Sequence, residues 1–151
     1  MESEVRSASS HREALLGTWR MLSCTRALVH SGEESDAFGP NPIGYINYAP
    51  DGRVMVLVLK SGRAVPAASV LTPPEKLALF DSMFAYCGTY VVDEEKVVHS
   101  LDASWNEQWT GTRQTRFLSF QDGLLIYTTS EMTDPMDGQQ CTFRVVFEKV
   151  K

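Results

Sequence analysis

Three side chains in this sequence have the types and spacing to handle a polar group inside an apolar site. They are His99, Gln114 and Arg116. In Val97-Val98-His99-Ser100-Leu101, period two places His99 on the face it shares with Val97 and Leu101. Gln114 and Arg116 stand at i and i+2 of the next extended run, so they share one face as well. If that face is interior, Arg116 cannot stand unpaired, because burying a bare charge is prohibitively costly. Asp102, Glu107 and Glu131 are candidate counter-ions, and a ligand is the fourth. His, Gln and Arg converging on one point would suit a carboxylate, enol or ketone oxygen, with His99 as general acid/base and the other two stabilising an oxyanion. A lone histidine among apolar neighbours is ordinarily a core residue with one satisfied nitrogen. The opposite parity, with Arg113 and Thr115 inward, would send Gln114 and Arg116 to solvent.

Tyr45, Tyr48, Tyr86 and Tyr90 offer phenolic donors, although each also reads as a packing aromatic with a locally satisfied hydroxyl. Trp105 and Trp109 flank an irregular segment and suit either a cavity mouth or the core. Met21, Met55, Met83, Met132 and Met136 suit adaptable apolar walls. No G-x-S-x-G elbow, Walker loop, G-x-G-x-x-G or H-E-x-x-H occurs. Asp93-Glu94-Glu95 reads as a solvated turn rather than a metal site. No cofactor and no metal are therefore expected.

The elements that must hold these side chains are short and extended. Runs at Gly17–Val29, Ile43–Ala49, Arg53–Leu59, Cys87–Asp93, Lys96–Asp102, Thr112–Phe120, Leu124–Ser130 and Gln139–Val150 predict eight strands. Pro50-Asp51-Gly52 and Gln121-Asp122-Gly123 are hairpin signals. One helix interrupts the pattern. Thr72-Pro73-Pro74-Glu75 has the form of a capping box, and Leu77, Phe80 and Phe84 recur behind it, predicting a helix from about Pro73 to Phe84 between the third and fourth strands. Eight strands joined mostly by tight turns hide their edges most economically as a closed antiparallel up-and-down barrel, an all-β fold whose interior takes one small ligand.

The chain has 151 residues, 43% hydrophobic and 22% charged, enough for one domain with a sizeable core. Residues 14–151 are assigned to the barrel and residues 1–13 to a flexible tail, since Met1–Glu13 is polar and lacks an apolar signal segment. Net charge −5 and the absence of a basic run exclude nucleic-acid binding and attraction to an anionic membrane. Nothing approaches the ~18–20 apolar residues of a membrane span. Cys24, Cys87 and Cys141 are odd in number and far apart, which fits reduced thiols in a cytoplasmic protein.

Gly17-Thr18-Trp19 resembles the G-x-W opening of lipocalins. From about Leu15 onward the chain resembles the lipocalin-like domain family of small stand-alone barrels. The resemblance is carried by LLGTWRMLS, NPIGYINYAPDGRVMV, AYCGTYVVD and VVHSLDASWNEQWTGTRQTRF, the last having the most specific spacing. Glu107-Gln108 stand before Trp109 where that family usually carries Pro-Asn. The resemblance implies a barrel, with Trp19 plugging its floor beneath an arginine of the last strand, for which Arg144 is the candidate. It also favours Tyr45 and Tyr90 as cavity-lining tyrosines, beside Trp109 and Trp105. Three functions fit: a cofactor-independent isomerase, cyclase or lyase acting on a small hydrophobic oxygenated molecule; a carrier of such a molecule; or a module whose interior is filled by side chains. The expected partner is that small molecule, and the expected state a monomer or homodimer. A cavity above ~300 Å³ separates the first two from the third.

Overall fold

Asp51-Gly52 turns one strand back on the next, because Gly52 takes φ +88°, a left-handed value that glycine reaches without steric cost. The hairpin it makes joins β3 (Ile43–Tyr48) to β4 (Arg53–Leu59), with Tyr48 opposite Val54. The computed structural model describes residues 11–151. The expected tail lies mostly outside the described residues. Its last three residues belong to a helical segment at 11–15, where His11 Nδ1 bonds the Asp93 carbonyl and Arg12 donates to the Pro50 carbonyl.

The other strands are β1 (Gly17–Leu28), β2 (Glu34–Asp36), β5 (Met83–Val92), β6 (Lys96–Ser104), β7 (Arg113–Gln121), β8 (Leu124–Thr128), β9 (Met132–Thr133) and β10 (Gln140–Lys149). The order is β2-β1-β3-β4-β5-β6-β7-β8-β10-β9, and β1 also pairs with β10. Eight long antiparallel strands therefore close on themselves, as expected. The short β2 and β9 extend β1 and β10 beyond the closed ring.

The helix, α1 (Pro73–Asp81), begins with the expected capping box, Thr72 accepting from the Glu75 amide and Glu75 from the Thr72 amide. It lies after β4, since the unforeseen β2 enters the count. It ends at Asp81, three residues short of the expected Phe84, with Ser82 as its C-cap. Met83 and Phe84 instead pair with Leu59 and Val58, because the β4–β5 ladder satisfies their backbone groups. The helix buries no residue, and Leu77 and Phe80 are exposed. Among the described residues no helix is long and apolar enough to cross a membrane.

One end of the barrel is filled. Trp19 is 4% exposed, and its Nε1–H donates to the Leu15 carbonyl at 2.8 Å. The cation above its ring is Lys149, with Nζ 4.8 Å from the centroid, and not Arg144. The cause is register and parity: Trp19 stands opposite Lys149, whereas Arg144 alternates outward beside the inward Val145 and Phe147 and is exposed. Lys149 Nζ also donates to the Leu16 carbonyl, and burial lowers its pKa.

Gly88 shapes the wall between β5 and β6. A Cβ there would lie 1.9 Å from the Ser100 carbonyl oxygen, and the ladder slips by one residue between Cys87 and Gly88. Only glycine admits so close a backbone. The extra residue of this bulge is Asp102 on β6, and along β5 unbroken alternation turns Tyr86, Gly88 and Tyr90 to the inner face.

Candidate functional site

The interior parity of β6 and β7 follows from their pairing. Val97, His99 and Leu101 are buried, Val97 stands opposite Arg116, and His99 stands opposite Gln114. Directly opposed residues of an antiparallel pair share a face, so Arg116 and Gln114 turn inward with His99. Arg113 alternates outward and is exposed.

A cavity of about 310 Å³ occupies the end opposite the Trp19 floor. Phe38, Phe84, Trp105 and Trp109 make an aromatic wall, and Ile46, Val56 and Val145 line other parts. Phe84 stacks obliquely on Trp105 at 5.7 Å and on Trp109 at 6.3 Å, and the two indoles meet edge-on at 5.3 Å. Met21, Met132 and Met136 contribute to the lining, whereas Met55 is exposed on the outer face.

The polar part of the wall is Arg116, Tyr86 and Tyr127. Arg116 is half-buried, and its Nη1 donates to the neighbouring Thr115 carbonyl at 3.1 Å. No carboxylate among the described residues lies within ion-pair distance of it. Asp102, a candidate counter-ion, is instead held by Arg53 on the outside of the barrel, through contacts of 2.5 and 3.0 Å. Trp105 adds a second underused donor: its Nε1–H is buried without a hydrogen-bond partner among the described residues.

Behind this wall lies a buried polar chain. Tyr86 Oη is 2.6 Å from His99 Nδ1, Tyr48 Oη is 2.7 Å from His99 Nε2, and the Tyr48 hydroxyl also bonds the Tyr127 hydroxyl. His99 is 1% exposed and Tyr48 fully buried, and neither lines the cavity. Burial, with the positive charge of Arg116 as a smaller second cause, drives the His99 pKa down to about 3, so the imidazole is neutral at physiological pH. Burial likewise raises the pKa of Tyr48, Tyr86 and Tyr127, keeping the phenols protonated. Cys24, also on the cavity wall, is pushed up to about 12 by burial and stays a thiol.

The remaining expected site residues divide. Trp105 and Trp109 line the cavity. Gln114 faces inward but is absent from the lining, and its Nε2 donates to Thr112 Oγ1 at 2.9 Å. Tyr45 does not reach the interior: Ile46 and Tyr48 take the inward positions of β3, which leaves Tyr45 on the outer surface, 45% exposed. Tyr90 is buried but sits away from the cavity. Its hydroxyl donates to the Ala49 carbonyl at 2.9 Å and its ring meets Tyr48 edge-on at 4.9 Å, below the Arg12 guanidinium. Tyr127 was not anticipated, although alternation from Leu125 on β8 would have turned it inward.

The rim of the cavity is charged. Arg26 Nη1 pairs with Asp134 at 2.7 Å and Asp137 at 2.6 Å, tying the segment after β9 to β1. That contact raises the Arg26 pKa and lowers that of Asp137. Lys60 and Asp81 stand on the rim beside α1, and Arg63 holds the intervening loop by donating to Ser82 Oγ and the Leu79 carbonyl.

A closed barrel with one plugged end, a hollow opposite end and one charged donor on the inner wall is a small-molecule site in form. No curated protein matches the chain. The family model of the lipocalin-like domain matches residues 16–150, which span every strand of the barrel, and the chain belongs to the lipocalin-like domain family.

Proposed function

We propose that the barrel encloses a small, largely apolar molecule whose anionic or strongly polar oxygen end meets Arg116, and that it converts this molecule without a cofactor, by isomerisation, cyclisation or dehydration. One observation carries the reading. Arg116 is a half-buried guanidinium on the cavity wall, and its own hydrogen bond goes to a single backbone carbonyl. A guanidinium presents five donors in a planar fork and is best satisfied bidentately by a carboxylate or developing oxyanion. The aromatic wall supplies the apolar contact. A volume of about 310 Å³ is at the lower end of ligand pockets and suits a compact molecule. The three free thiols fit a reducing, cytoplasmic setting.

Passive carriage is the second reading. It is favoured by the placement of His99, which lies behind Tyr86 and Tyr127 rather than on the cavity surface. Both readings share the anchor, so the anchor is tested first. Tryptophan fluorescence titration with 3-phenylpropanoate and with its neutral amide compares the same apolar body with and without the anion. Wild type should prefer the carboxylate by ~10–100-fold, the worth of a charge-assisted hydrogen bond of about 1.5–3 kcal/mol. Arg116→Gln should abolish the preference. Equal affinity for acid and amide in wild type, or an undiminished preference in the variant, would refute the anchor.

A further inference from the structure

The tyrosines and histidine behind the cavity form an unbranched chain, Tyr86–His99–Tyr48–Tyr127, with three hydrogen bonds joining four groups. Its two terminal residues line the cavity and its two middle ones do not. Counting hydrogens is informative. Three phenols and one neutral imidazole carry four exchangeable protons, and three bonds use three of them. One O–H is left over, and it sits at an end, because a spare O–H on fully buried Tyr48 would have no acceptor.

Which end depends on the imidazole tautomer. With the proton on Nε2, Tyr86 donates to Nδ1, Nε2–H donates to Tyr48, Tyr48 donates to Tyr127, and the Tyr127 O–H is spare. With the proton on Nδ1 every bond reverses, and the Tyr86 O–H is spare. The two states interconvert by shifting each proton one bond along the chain, provided that one terminal tyrosine takes up a proton and the other gives one away. No member becomes charged in either state, so neither an imidazolium nor a phenolate is required in this apolar surrounding.

We propose that this chain is a proton relay: it withdraws a proton from one position of a bound molecule at Tyr86 and returns one to another position from Tyr127, or the reverse. Together with Arg116, this assigns the substrate class as an enolisable 2-oxo acid and the reaction as a proton shift. The proposal rests on the reading of Arg116 as a carboxylate anchor. The step balances without an oxidant or reductant. The C–H bond beside the carbonyl breaks, and its proton passes to the Tyr86 oxygen as the Tyr86 proton moves to Nδ1. The Nε2 proton moves to Tyr48, the Tyr48 proton to Tyr127, and the Tyr127 proton to the carbonyl oxygen, as C=C forms and C=O becomes C–OH. Tyr86 and Tyr127 are the catalytic residues, and His99 and Tyr48 act through them.

Phenylpyruvate is the probe: it carries a carboxylate, a carbonyl beside an acidic C–H, and one aromatic ring for the cavity's apolar wall. Its enol–keto interconversion is followed by ultraviolet absorbance, and its binding by tryptophan fluorescence. Wild type should accelerate interconversion. Tyr86→Phe and Tyr127→Phe, each losing one oxygen and keeping the ring, should each lower kcat by ~10²–10⁴-fold with KM nearly unchanged. Arg116→Gln should instead raise KM. Near-ultraviolet circular dichroism verifies that each phenylalanine variant keeps its packing. If phenylpyruvate binds in an Arg116-dependent manner but wild type and both variants interconvert it equally, the relay is overturned and the anchor stands. If phenylpyruvate does not bind, the substrate class is overturned, while the phenylpropanoate titration still decides the anchor by itself.

Discussion

Neutral His99 in the folded barrel has a consequence for stability against pH. In the unfolded chain the imidazole titrates at its ordinary 6.5, and in the fold burial holds it down at about 3. The folded value lies below the unfolded one, so between these pH values the unfolded state binds a proton that the native state refuses. Stability is therefore whole above 6.5, falls as pH drops through that value, and stops falling near 3. The slope approaches about 1.36 kcal/mol per pH unit for one proton, and integration from pH 7 to pH 5 gives a loss of about 2 kcal/mol from this residue. Asp93, Asp102 and Asp137, whose pKa values are lowered by their hydrogen bonds, lose stability only at more acid pH, so the chosen window is clear of them. The assay is urea unfolding at pH 7, 6 and 5 of wild type and His99→Gln, whose amide retains an acceptor and a donor for the two phenols. Contributions from every other group cancel in the difference of slopes. Wild type should lose about 2 kcal/mol more than the variant across the window. Parallel pH dependences would show that His99 is charged or hydrated in the fold, and the neutral chain would be wrong.

Four further substitutions test the frame that holds the site. Gly88→Ala places a Cβ 1.9 Å from the Ser100 carbonyl oxygen, so it should cost at least the ~1–3 kcal/mol of an overpacked core in urea unfolding; an unchanged midpoint would refute the close approach. Trp19→Ala should cost ~3–5 kcal/mol and Lys149→Met at most ~1 kcal/mol, whereas exposed Arg144→Ala should stay within ~0.5 kcal/mol. A large loss at Arg144 with none at Lys149 would reverse the assignment of the cation over the indole.

Period-two alternation made the closed barrel and the inward set of His99, Gln114 and Arg116 legible, because one buried face forces every second residue to one side. It could equally have separated Tyr48 from Tyr45, since Ile46 and Tyr48 share a face. Family resemblance pointed to Tyr45 instead, and the local pattern was the better guide. Parity does not give depth along the barrel. Tyr86 and Tyr90 both face inward, yet their separation along β5 puts Tyr86 on the cavity and Tyr90 against the filled end. The register of β1 on β10 likewise selected Lys149 over Arg144, and cross-strand register is a tertiary fact that neither strand states alone. The helix overran for a related reason. Leu77, Phe80 and Phe84 have helical spacing, but the ladder with β4 claimed Phe84 and left the first two in solvent.

The placement of the polar chain connects stability with chemistry. Tyr48 packs edge-on against Tyr90 toward the filled end, while Tyr86 and Tyr127 line the hollow one. His99 stands between them and marks the boundary of the two halves. A buried hydroxyl without a partner costs about 1–3 kcal/mol, so each member of the chain is retained in place by its neighbours. The leftover O–H is the one element this mutual satisfaction cannot absorb, and it is displaced to one terminal tyrosine or the other, both of which line the cavity. Arg116 is in a similar position, with most of its donors uncommitted on the same wall. An oxygen-bearing anion entering the cavity would satisfy the cation and the spare O–H together. The binding of such a molecule should then favour one tautomer of His99 over the other, making the histidine ring a reporter of occupancy from behind a wall the ligand never crosses.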